Sequence, residues 1–215
     1  MAAQTCSGVS LKHADNAVEL ATCVYTAAVH RAAGPRKNGE GLKMLEIAAG
    51  TGRFATFVRD NFPAANLTVS ELSPYYLQEA RESMAHWQAV RGGATGSTSF
   101  VQCAAEELPV ADESMDIVYC MYMFHEVPDN ARDAAILEMA RVLKPGGTLV
   151  ICDSTQLGDR PGMDKGLQSF EKLNEPYYLS YLRYNFARRF SEVGLQPSLK
   201  QISAVSKTLS ATKPL

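Results

Sequence analysis

The sequence has no long apolar run. Across its 215 residues, no stretch approaches the roughly 20 apolar residues that a membrane-spanning helix needs. A secretory signal is not expected either, because no apolar core follows the first residues given. The first 14 residues contain no acid, but Lys12 and His13 are their only basic residues, which is a poor transit peptide. We therefore expect no transmembrane segment and no secretory signal.

An excess of positive charge is also missing. The chain has 21 Lys and Arg against 23 Asp and Glu, for a formal net charge of -2. No overall positive field would therefore attract nucleic acid or an acidic membrane. A small basic cluster of Arg183, Arg188 and Arg189 favours a solvated helix face over a phosphate-binding patch. The charge pattern predicts that nucleic acid is not a partner.

Cysteines are few and show no pairing pattern. The five lie at positions 6, 23, 103, 120 and 152, with no CxxC pair and no metal-ligand spacing. Three of them fall within apolar runs, where a reduced thiol packs as a small hydrophobic group. This usage favours neither a disulfide nor a metal site. It predicts a reducing compartment, the cytoplasm or an organelle matrix.

Alternating strand and helix patterns are present instead. Helical patterns are predicted at residues 14–33, 51–61, 73–90, 130–143, 163–175 and 177–192. Strand-like runs are KMLEIA, NLTVSE, SFVQCA, MDIVYCMY, TLVICDS, LKQISAV and KTLSAT. Strands that alternate with helices predict one α/β domain with a parallel sheet, right-handed crossovers and helices on both faces. A closing hairpin would make the last strand antiparallel.

The stretch LEIAAGTGRF, residues 45–54, places a glycine turn directly after a strand. Gly50-x-Gly52-x-x-Ala55, with Glu71 about twenty residues later, satisfies a dinucleotide fingerprint, so an NAD-dependent oxidoreductase is one hypothesis. Glu46 argues against it, because an anion at the strand end would repel a pyrophosphate. The same carboxylate would favour a ligand that carries an ammonium and a sulfonium. A chain of 215 residues also leaves little room for a separate substrate domain.

Four motifs in order and spacing identify a family resemblance. LEIAAGTGRF, VSELSP, AAEELPVADESMDIVYCMYMFHEV and EMARVLKPGG resemble the class I S-adenosylmethionine-dependent methyltransferases. The nearest branch is the small-molecule enzymes typified by the ubiquinone/menaquinone-biosynthesis methyltransferases. The resemblance covers residues 43–153. It implies a Rossmann-like three-layer sandwich with a seven-stranded, mostly parallel sheet of order 3-2-1-4-5-7-6 and an antiparallel last strand.

The resemblance also implies a division of labour within a single domain, residues 1–215. Residues 1–40 would form an N-terminal helical lid, and residues 41–155 the core that binds the cofactor. Residues 156–215 would supply the helices of an acceptor pocket and the closing hairpin. The cofactor would be S-adenosylmethionine, with S-adenosylhomocysteine as the product, and no metal is expected.

The cofactor contacts follow from the matched motifs. Glu46 would hold the methionine part of the cofactor together with the backbone of the turn, and Glu71 would accept both ribose hydroxyls, unless it is simply a helix-capping acid. Leu72 would lie against the adenine, and Met121 near the sulfonium. The remaining contacts implied are the turn residues Ala48, Ala49, Gly50, Thr51 and Gly52, and the adenine-edge residues Ala105 and Glu106.

Two residues depart from the family pattern. Ala48 stands where many relatives have glycine, and we expect its methyl group to be tolerated if the residue keeps a negative φ. Ala104 stands where relatives often place an aspartate that meets the adenine amino group. That hydrogen bond must then come from backbone or another side chain, or be absent.

Candidate acceptor residues come from outside the glycine turn. His125, just beyond the fourth strand, is the best general base, because it titrates near neutrality; packing or bonding to the next loop is the alternative. Tyr177, Tyr178 and Tyr181 are candidates for binding a planar or apolar acceptor, although tyrosines at helical spacing are often core. Tyr25 would face the cofactor from the lid.

These features predict a methyltransferase that acts on a small-molecule acceptor by O- or C-methylation, such as a quinone or a phenolic natural product. Two alternatives stay open at this point. One is the NAD-dependent oxidoreductase. The other is a protein that binds the cofactor without catalysis, which Ala104 and the unproven general base would allow.

Overall fold

The structure is a computed structural model that describes residues 5–6, 9–10, 17–36, 38–169 and 175–215, with side chains from residue 25 onward. Parts of the predicted helical segments, residues 14–16 and 170–174, lie outside the described residues, as do Lys12 and His13. Near the start of the chain, Thr5–Cys6 pairs with Val9–Ser10 as a short antiparallel hairpin.

The main sheet has seven strands. They are β1 (Lys43–Ile47), β2 (Asn66–Glu71), β3 (Thr98–Gln102), β4 (Met115–Met121), β5 (Leu143–Ser154), β6 (Gln196–Ile202) and β7 (Ser206–Thr212). Their spatial order is 3-2-1-4-5-7-6. The first five strands pair in parallel, whereas β7 is antiparallel to both β5 and β6. The predicted strand order and antiparallel last strand are confirmed.

Helices cover both faces of this sheet. They are α1 (Ala17–Ala33), α2 (Arg53–Asn61), α3 (Pro74–Arg91), α4 (Asp129–Val142), α5 (Asp164–Leu167), α6 (Tyr178–Tyr181) and α7 (Phe186–Glu192). The first three helices share one buried apolar cluster with one face of the sheet, whereas α4, α6 and α7 share another with the opposite face. Strand β1 contributes to both clusters: Leu45 and Ile47 pack with α4, α6 and α7, and Met44 packs with the first three helices. This is the predicted three-layer architecture.

Helix α3 begins as its sequence predicts. The Ser73 hydroxyl accepts a hydrogen bond from the Tyr76 backbone N–H at 3.3 Å, and Pro74 occupies the first turn. This cap fixes the point at which the chain turns away from the end of β2, and therefore positions Glu71 and Leu72 just before the helix.

The prediction of long helices at 163–175 and 177–192 is wrong for the described residues. The chain instead forms the 3-10 turn Pro161–Met163 and the short helices α5, α6 and α7. The Gln156 side-chain amide donates to the carbonyls of Tyr181 and Tyr184, which a continuous helix would use internally. The Asn185 side chain then accepts from the Arg188 N–H at 3.0 Å and starts α7 as a new helix. Long-range hydrogen bonds therefore break the helical pattern.

Among the described helices, none combines the length and apolar character that crossing a membrane requires.

Candidate active site

The glycine turn between β1 and α2 forms an open backbone cradle at the carboxyl edge of the sheet. Gly50 and Gly52 have φ of 54° and 75°, in the left-handed region that favours glycine. A Cβ on Gly52 would lie 2.9 Å from the Ala80 Cβ, so α3 could not pack as closely as it does. A Cβ on Gly50 would meet nothing within 4 Å. The turn is therefore packed on one side and open on the other.

Ala48 adopts a conformation that the sequence did not lead us to expect. Its φ is 52°, so the condition of a negative φ, on which we expected the methyl group to be tolerated, is not met. The neighbouring Ala49 N–H donates to the Ser70 carbonyl at 3.0 Å, and the Gly52 N–H donates to the Ala49 carbonyl at 3.0 Å. These bonds hold the turn against β2, with Ala48 in the left-handed region, which costs about 1 to 2 kcal/mol for a residue with a Cβ.

Glu71, the last residue of β2, joins the glycine turn to the start of α3. One carboxylate oxygen accepts the Gly50 N–H at 2.8 Å and the other accepts the Ser73 N–H at 2.9 Å. The residue is 8% exposed. A carboxylate oxygen can accept more than one hydrogen bond, so capping the backbone leaves acceptor capacity for a ligand hydroxyl. Leu72, beside it, is 64% exposed and offers an apolar surface at the same edge.

Glu46 lies beneath the turn, and its side chain is buried. The residue is 1% exposed, and the Tyr119 hydroxyl donates to its carboxylate at 3.1 Å. Burial, with a smaller contribution from the charge of Glu71, raises the pKa of Glu46 to about 8, although the Tyr119 hydrogen bond acts to lower it. Sequence reasoning treated this group as an anion. A pKa in this range favours the protonated carboxyl at neutral pH.

The remaining predicted cofactor residues are spread along the same edge. Ala105 is half-buried and Glu106 exposed in the loop after β3, whose Cys103 N–H donates to the Glu71 carbonyl at 3.2 Å. Met121, at the end of β4, is buried, as is Ala49, whereas Thr51 is exposed. The loop that includes Ala104 therefore begins beside the end of β2, where Glu71 lies.

A second group of polar residues lies at the ends of β4 and β5. His125 belongs to the 3-10 turn Phe124–Glu126, and its Nδ1 lies 2.7 Å from an oxygen of Asp153, which is 1% exposed. Asp153 also accepts the Phe124 N–H at 2.8 Å and the Ser154 N–H at 2.7 Å. Sequence reasoning missed Asp153. The sequence does offer one indication: Asp153 directly follows the apolar run LVIC, and therefore lies at the carboxyl end of a predicted strand.

Burial and three nearby carboxyl groups affect the pKa of the His125 imidazole. Burial lowers its pKa, but the hydrogen bond and charge of Asp153, with the charges of Glu126 and Glu175, outweigh burial and raise the pKa above its ordinary value. The Glu126 carboxylate lies 3.3 Å from Nε2. When His125 is neutral, Asp153 favours the tautomer with the proton on Nδ1, and the Nε2 lone pair is left to accept a proton.

His125, Glu126 and Glu175 also bring one potential metal-ligand atom each within 4.8 Å of one another. Glu126 is exposed, and His125 and Glu175 are half-buried. The sequence predicts no metal in this protein, and that expectation stays a prediction.

Three tyrosine rings surround His125. Those of Tyr122, Tyr178 and Tyr181 lie 6.0 to 6.2 Å from the imidazole, each edge to face. Tyr122 has a φ of 55°, a strained conformation for a bulky residue, and its hydroxyl is hydrogen-bonded to Ser206 on β7. The structure therefore brings two of the predicted acceptor tyrosines, Tyr178 and Tyr181, to His125. Both residues are buried in the apolar core, at 4% and 0% exposed, whereas Tyr122 is half-buried.

Two other predicted acceptor residues do not join this group. Tyr177 is 40% exposed, and its carbonyl accepts a hydrogen bond from Arg132 at 2.8 Å. Tyr25 is 1% exposed on the opposite face of the sheet, where its ring contacts Phe54 and Tyr119. Helix α1 packs on the sheet at β5 and β7. In this conformation, Tyr25 is a core residue.

Known proteins share this sequence and fold. A family model described as a methyltransferase domain matches residues 45–151. The chain is 35% identical over 114 residues to the ubiquinone/menaquinone biosynthesis C-methyltransferase UbiE of Shewanella halifaxensis, covering 53% of this chain and 43% of that protein. The corresponding Pasteurella multocida protein is 34% identical over 115 residues, covering 53% and 40%. These matches span less than half the length of the curated relatives.

A solved structure of a SAM-dependent methyltransferase from Aquifex aeolicus has a TM-score of 0.64 at 14% identity, covering 94% of this chain and 96% of that one. This likeness shows the same fold over nearly the whole chain. The strand order, the glycine turn with Glu71 and the matched domain agree with one another. The chain belongs to the class I S-adenosylmethionine-dependent methyltransferases.

Proposed function

We propose that this protein transfers the methyl group of S-adenosylmethionine to an oxygen or carbon atom of an uncharged, phenol-like small molecule held beside His125. Residues 41–155 would bind the cofactor, and residues 156–215 would complete the acceptor pocket. One observation carries the proposal: the His125–Asp153 pair, walled by tyrosine rings, stands at the same sheet edge as the turn that Glu71 closes.

The residues at the glycine turn fit this cofactor. Glu71 offers acceptor capacity for two hydroxyls, Leu72 offers an exposed apolar surface, and the open side of Gly50 allows a ligand to approach the backbone. Glu46 lies beneath the turn, where a cationic ligand would favour its ionised form. The bound cofactor supplies an activated methyl group, so the protein needs mainly to orient two ligands and exclude water.

His125 would accept a proton from the acceptor hydroxyl at Nε2, where the acceptor would displace the exposed Glu126 carboxylate that lies 3.3 Å away. Asp153 would hold the Nδ1 proton and so keep the imidazole in the tautomer that this requires. Removing the phenolic proton makes the oxygen a better nucleophile. It also enriches the ortho and para ring carbons in electron density, so the same arrangement serves O- or C-methylation.

The charges and rings around His125 restrict the acceptor. Asp153, Glu126 and Glu175 place three carboxyl groups near the imidazole, which disfavours an acceptor that carries its own carboxylate or phosphate. Tyr122, the half-buried ring of the three, favours a planar acceptor. The curated relatives are C-methyltransferases of ubiquinone and menaquinone biosynthesis, so a hydroquinone is the acceptor we would test first.

The two alternative hypotheses are less well supported. A protonated Glu46 repels a pyrophosphate less than sequence reasoning assumed, so the family match is the stronger argument against an NAD-dependent oxidoreductase. The noncatalytic hypothesis rested partly on the lack of an assured base. The buried Asp153 behind His125 weakens it.

Calorimetry and a transfer assay test the proposal. We expect S-adenosylmethionine and S-adenosylhomocysteine to bind and NADH not to bind; binding of NADH alone would favour the oxidoreductase. Labelled methyl transfer should then occur to a neutral hydroquinone and be much weaker to its carboxylated analogue, with mass spectrometry to distinguish O- from C-methylation. Cofactor binding without transfer to any neutral phenol or hydroquinone would support the noncatalytic protein.

A further inference from the structure

Arg132, in helix α4, is a buried cation between two walls of the proposed acceptor pocket. Its side chain is 0% exposed. Nε donates to the Phe124 carbonyl at 2.6 Å, and one terminal nitrogen donates to the Tyr177 carbonyl at 2.8 Å. The other terminal nitrogen donates to the Ser180 hydroxyl at 2.8 Å and to Asp129. A single guanidinium thus joins the turn that carries His125 to the segment that carries the pocket tyrosines.

Both backbone polar groups of Phe124, the residue before His125, are held by buried charged side chains. Arg132 binds the carbonyl of Phe124, and Asp153 accepts its N–H at 2.8 Å. The same Asp153 carboxylate holds Nδ1 of His125. The orientation of the 3-10 turn, and with it the position of the imidazole, therefore depends on both charged side chains.

The opposite wall depends on the same arginine. The Tyr177 carbonyl lies just before α6, which carries Tyr178 and Tyr181, and the Ser180 hydroxyl lies within it. Without Arg132, the polar groups of both walls would lose a partner, and the connection would rest on ring packing and on the bond from the Tyr181 hydroxyl to the Ser154 carbonyl.

The properties of the arginine side chain indicate that Arg132 acts as a hydrogen-bonding bridge and not only as a side chain that fills the core. Burying a cation costs free energy, and an apolar side chain would fill the same space more cheaply. The planar fork, however, reaches acceptors in several directions at once, which a lysine ammonium on a single stem cannot reproduce. Asp129 and the rings of Tyr181 and Tyr184, each 5.7 Å away, offset part of the cost of burial.

We infer that Arg132 is a positioning residue: it fixes the separation between the His125 turn and the tyrosine segment 177–181, and so determines how the acceptor is held. The inference rests on the proposed function in placing the acceptor beside His125. It predicts a defect in acceptor use and in the environment of His125, with cofactor binding unaffected.

The test compares R132K with R59K. Arg59 is a matched control, since it is also buried and donates to the carbonyls of Pro63, Ala65 and Ser97, but it does so where β2 and β3 begin, at the opposite edge of the sheet. For R132K we expect the Kd of S-adenosylmethionine to stay within about twofold and kcat/KM for the acceptor to fall roughly 10- to 100-fold. The nuclear magnetic resonance signals of the His125 ring should shift, and their titration should change. R59K should leave both unchanged.

Unchanged His125 signals and an unchanged acceptor KM in folded R132K would overturn the inference. If R132K does not fold, S180A removes one of the bridging bonds without removing the cation, and it should shift the His125 signals in a smaller way; wild-type signals and kinetics in that variant would then overturn it. The resonance measurement needs no turnover. If R132K shifts the His125 signals but the wild-type protein methylates no neutral phenol, the positioning role of Arg132 is supported and the proposed function is not.

Discussion

Nδ1 of His125 lies 2.7 Å from a carboxylate oxygen of Asp153, across the carboxyl ends of two adjacent parallel strands. The carboxylate is almost inaccessible to solvent and the imidazole is half-buried, so their hydrogen bond is protected from water. If His125 is the base that we propose, this pair sets its tautomer and raises its pKa. It has consequences that can be measured in the acceptor reaction.

Removing the imidazole should remove the pH dependence of methyl transfer. We expect H125Q to lower kcat by about 10²- to 10⁴-fold, the range of general-base catalysis, and to abolish the rise of rate with pH, while the Kd of S-adenosylmethionine is unchanged. The exposed His86 provides the control, and H86Q should behave as wild type. A full rate in H125Q at the pH optimum would mean that no base is needed at this position.

Replacing the Asp153 carboxylate should shift the pH dependence of the methyl-transfer rate to lower pH. His125 acts as a base only when neutral, and Asp153 contributes to raising its pKa, so the wild-type rate should rise with pH above the ordinary range of histidine. In D153N the hydrogen bond to an anion and its charge are lost while burial remains, and the rising limb should shift to lower pH with a lower plateau. If the rise of the rate in D153N occurs at the same pH as in the wild type, or at higher pH, the rate depends on the titration of a group other than His125.

Glu46 should couple protons to both stability and cofactor binding. Its folded pKa of about 8 exceeds the ordinary 4.5, so the stability it contributes is full below about 4.5 and is lost as pH rises through 8. E46Q should remove this decline and be at least as stable as wild type at pH 8.5, while binding S-adenosylmethionine more weakly because Gln cannot ionise.

The proton balance gives a second measurement of the same group. Cofactor binding to the wild type at neutral pH should release protons, seen as different calorimetric enthalpies in Tris and phosphate buffers, and E46Q should lose this difference. Equal enthalpies in the two buffers for the wild type would show that Glu46 does not respond to the ligand.

Ala48 stores backbone strain that glycine would relieve. We expect A48G to raise the free energy of unfolding of the ligand-free protein by roughly 0.5 to 1 kcal/mol, because relief of the left-handed strain exceeds the entropy that glycine gains in the unfolded chain. The matched variant A49G, at a buried position without positive φ, should be destabilised. Thermal unfolding of both variants checks the pair. Destabilisation of A48G would show that its methyl contacts matter more than its φ.

Chelation tests the prediction that no metal takes part. Although His125, Glu126 and Glu175 present ligand atoms within 4.8 Å of one another, a histidine base needs no cation, so prior treatment with EDTA should leave the rate of methyl transfer unchanged. A loss of rate that one divalent cation restores, and that E126Q or E175Q abolishes, would replace the general base with a metal-assisted mechanism.

Much of the fold and of the cofactor side was predictable from local patterns. The apolar runs and the glycine turn lie close together in sequence, and their periodicity and turn chemistry are properties of short segments. The motifs from LEIAAGTGRF to EMARVLKPGG therefore predicted the strand order and family, and Glu71 was named before its bonds to Gly50 and Ser73 were known.

Other features depend on contacts between distant segments. Asp153 meets His125 because β4 and β5 end side by side, and Arg132 joins turns that are far apart in the chain. Likewise, the short helices near Tyr181 depend on Gln156, and the protonation of Glu46 depends on burial.

The sequence by itself determined the strands, the helices before residue 143, the family and the glycine turn, because local patterns encode these. Only the tertiary structure decided the conformation of Ala48, the charge of Glu46 and the surroundings of His125. Each of these depends on which buried groups the packing places within hydrogen-bonding distance, and on how completely it excludes water.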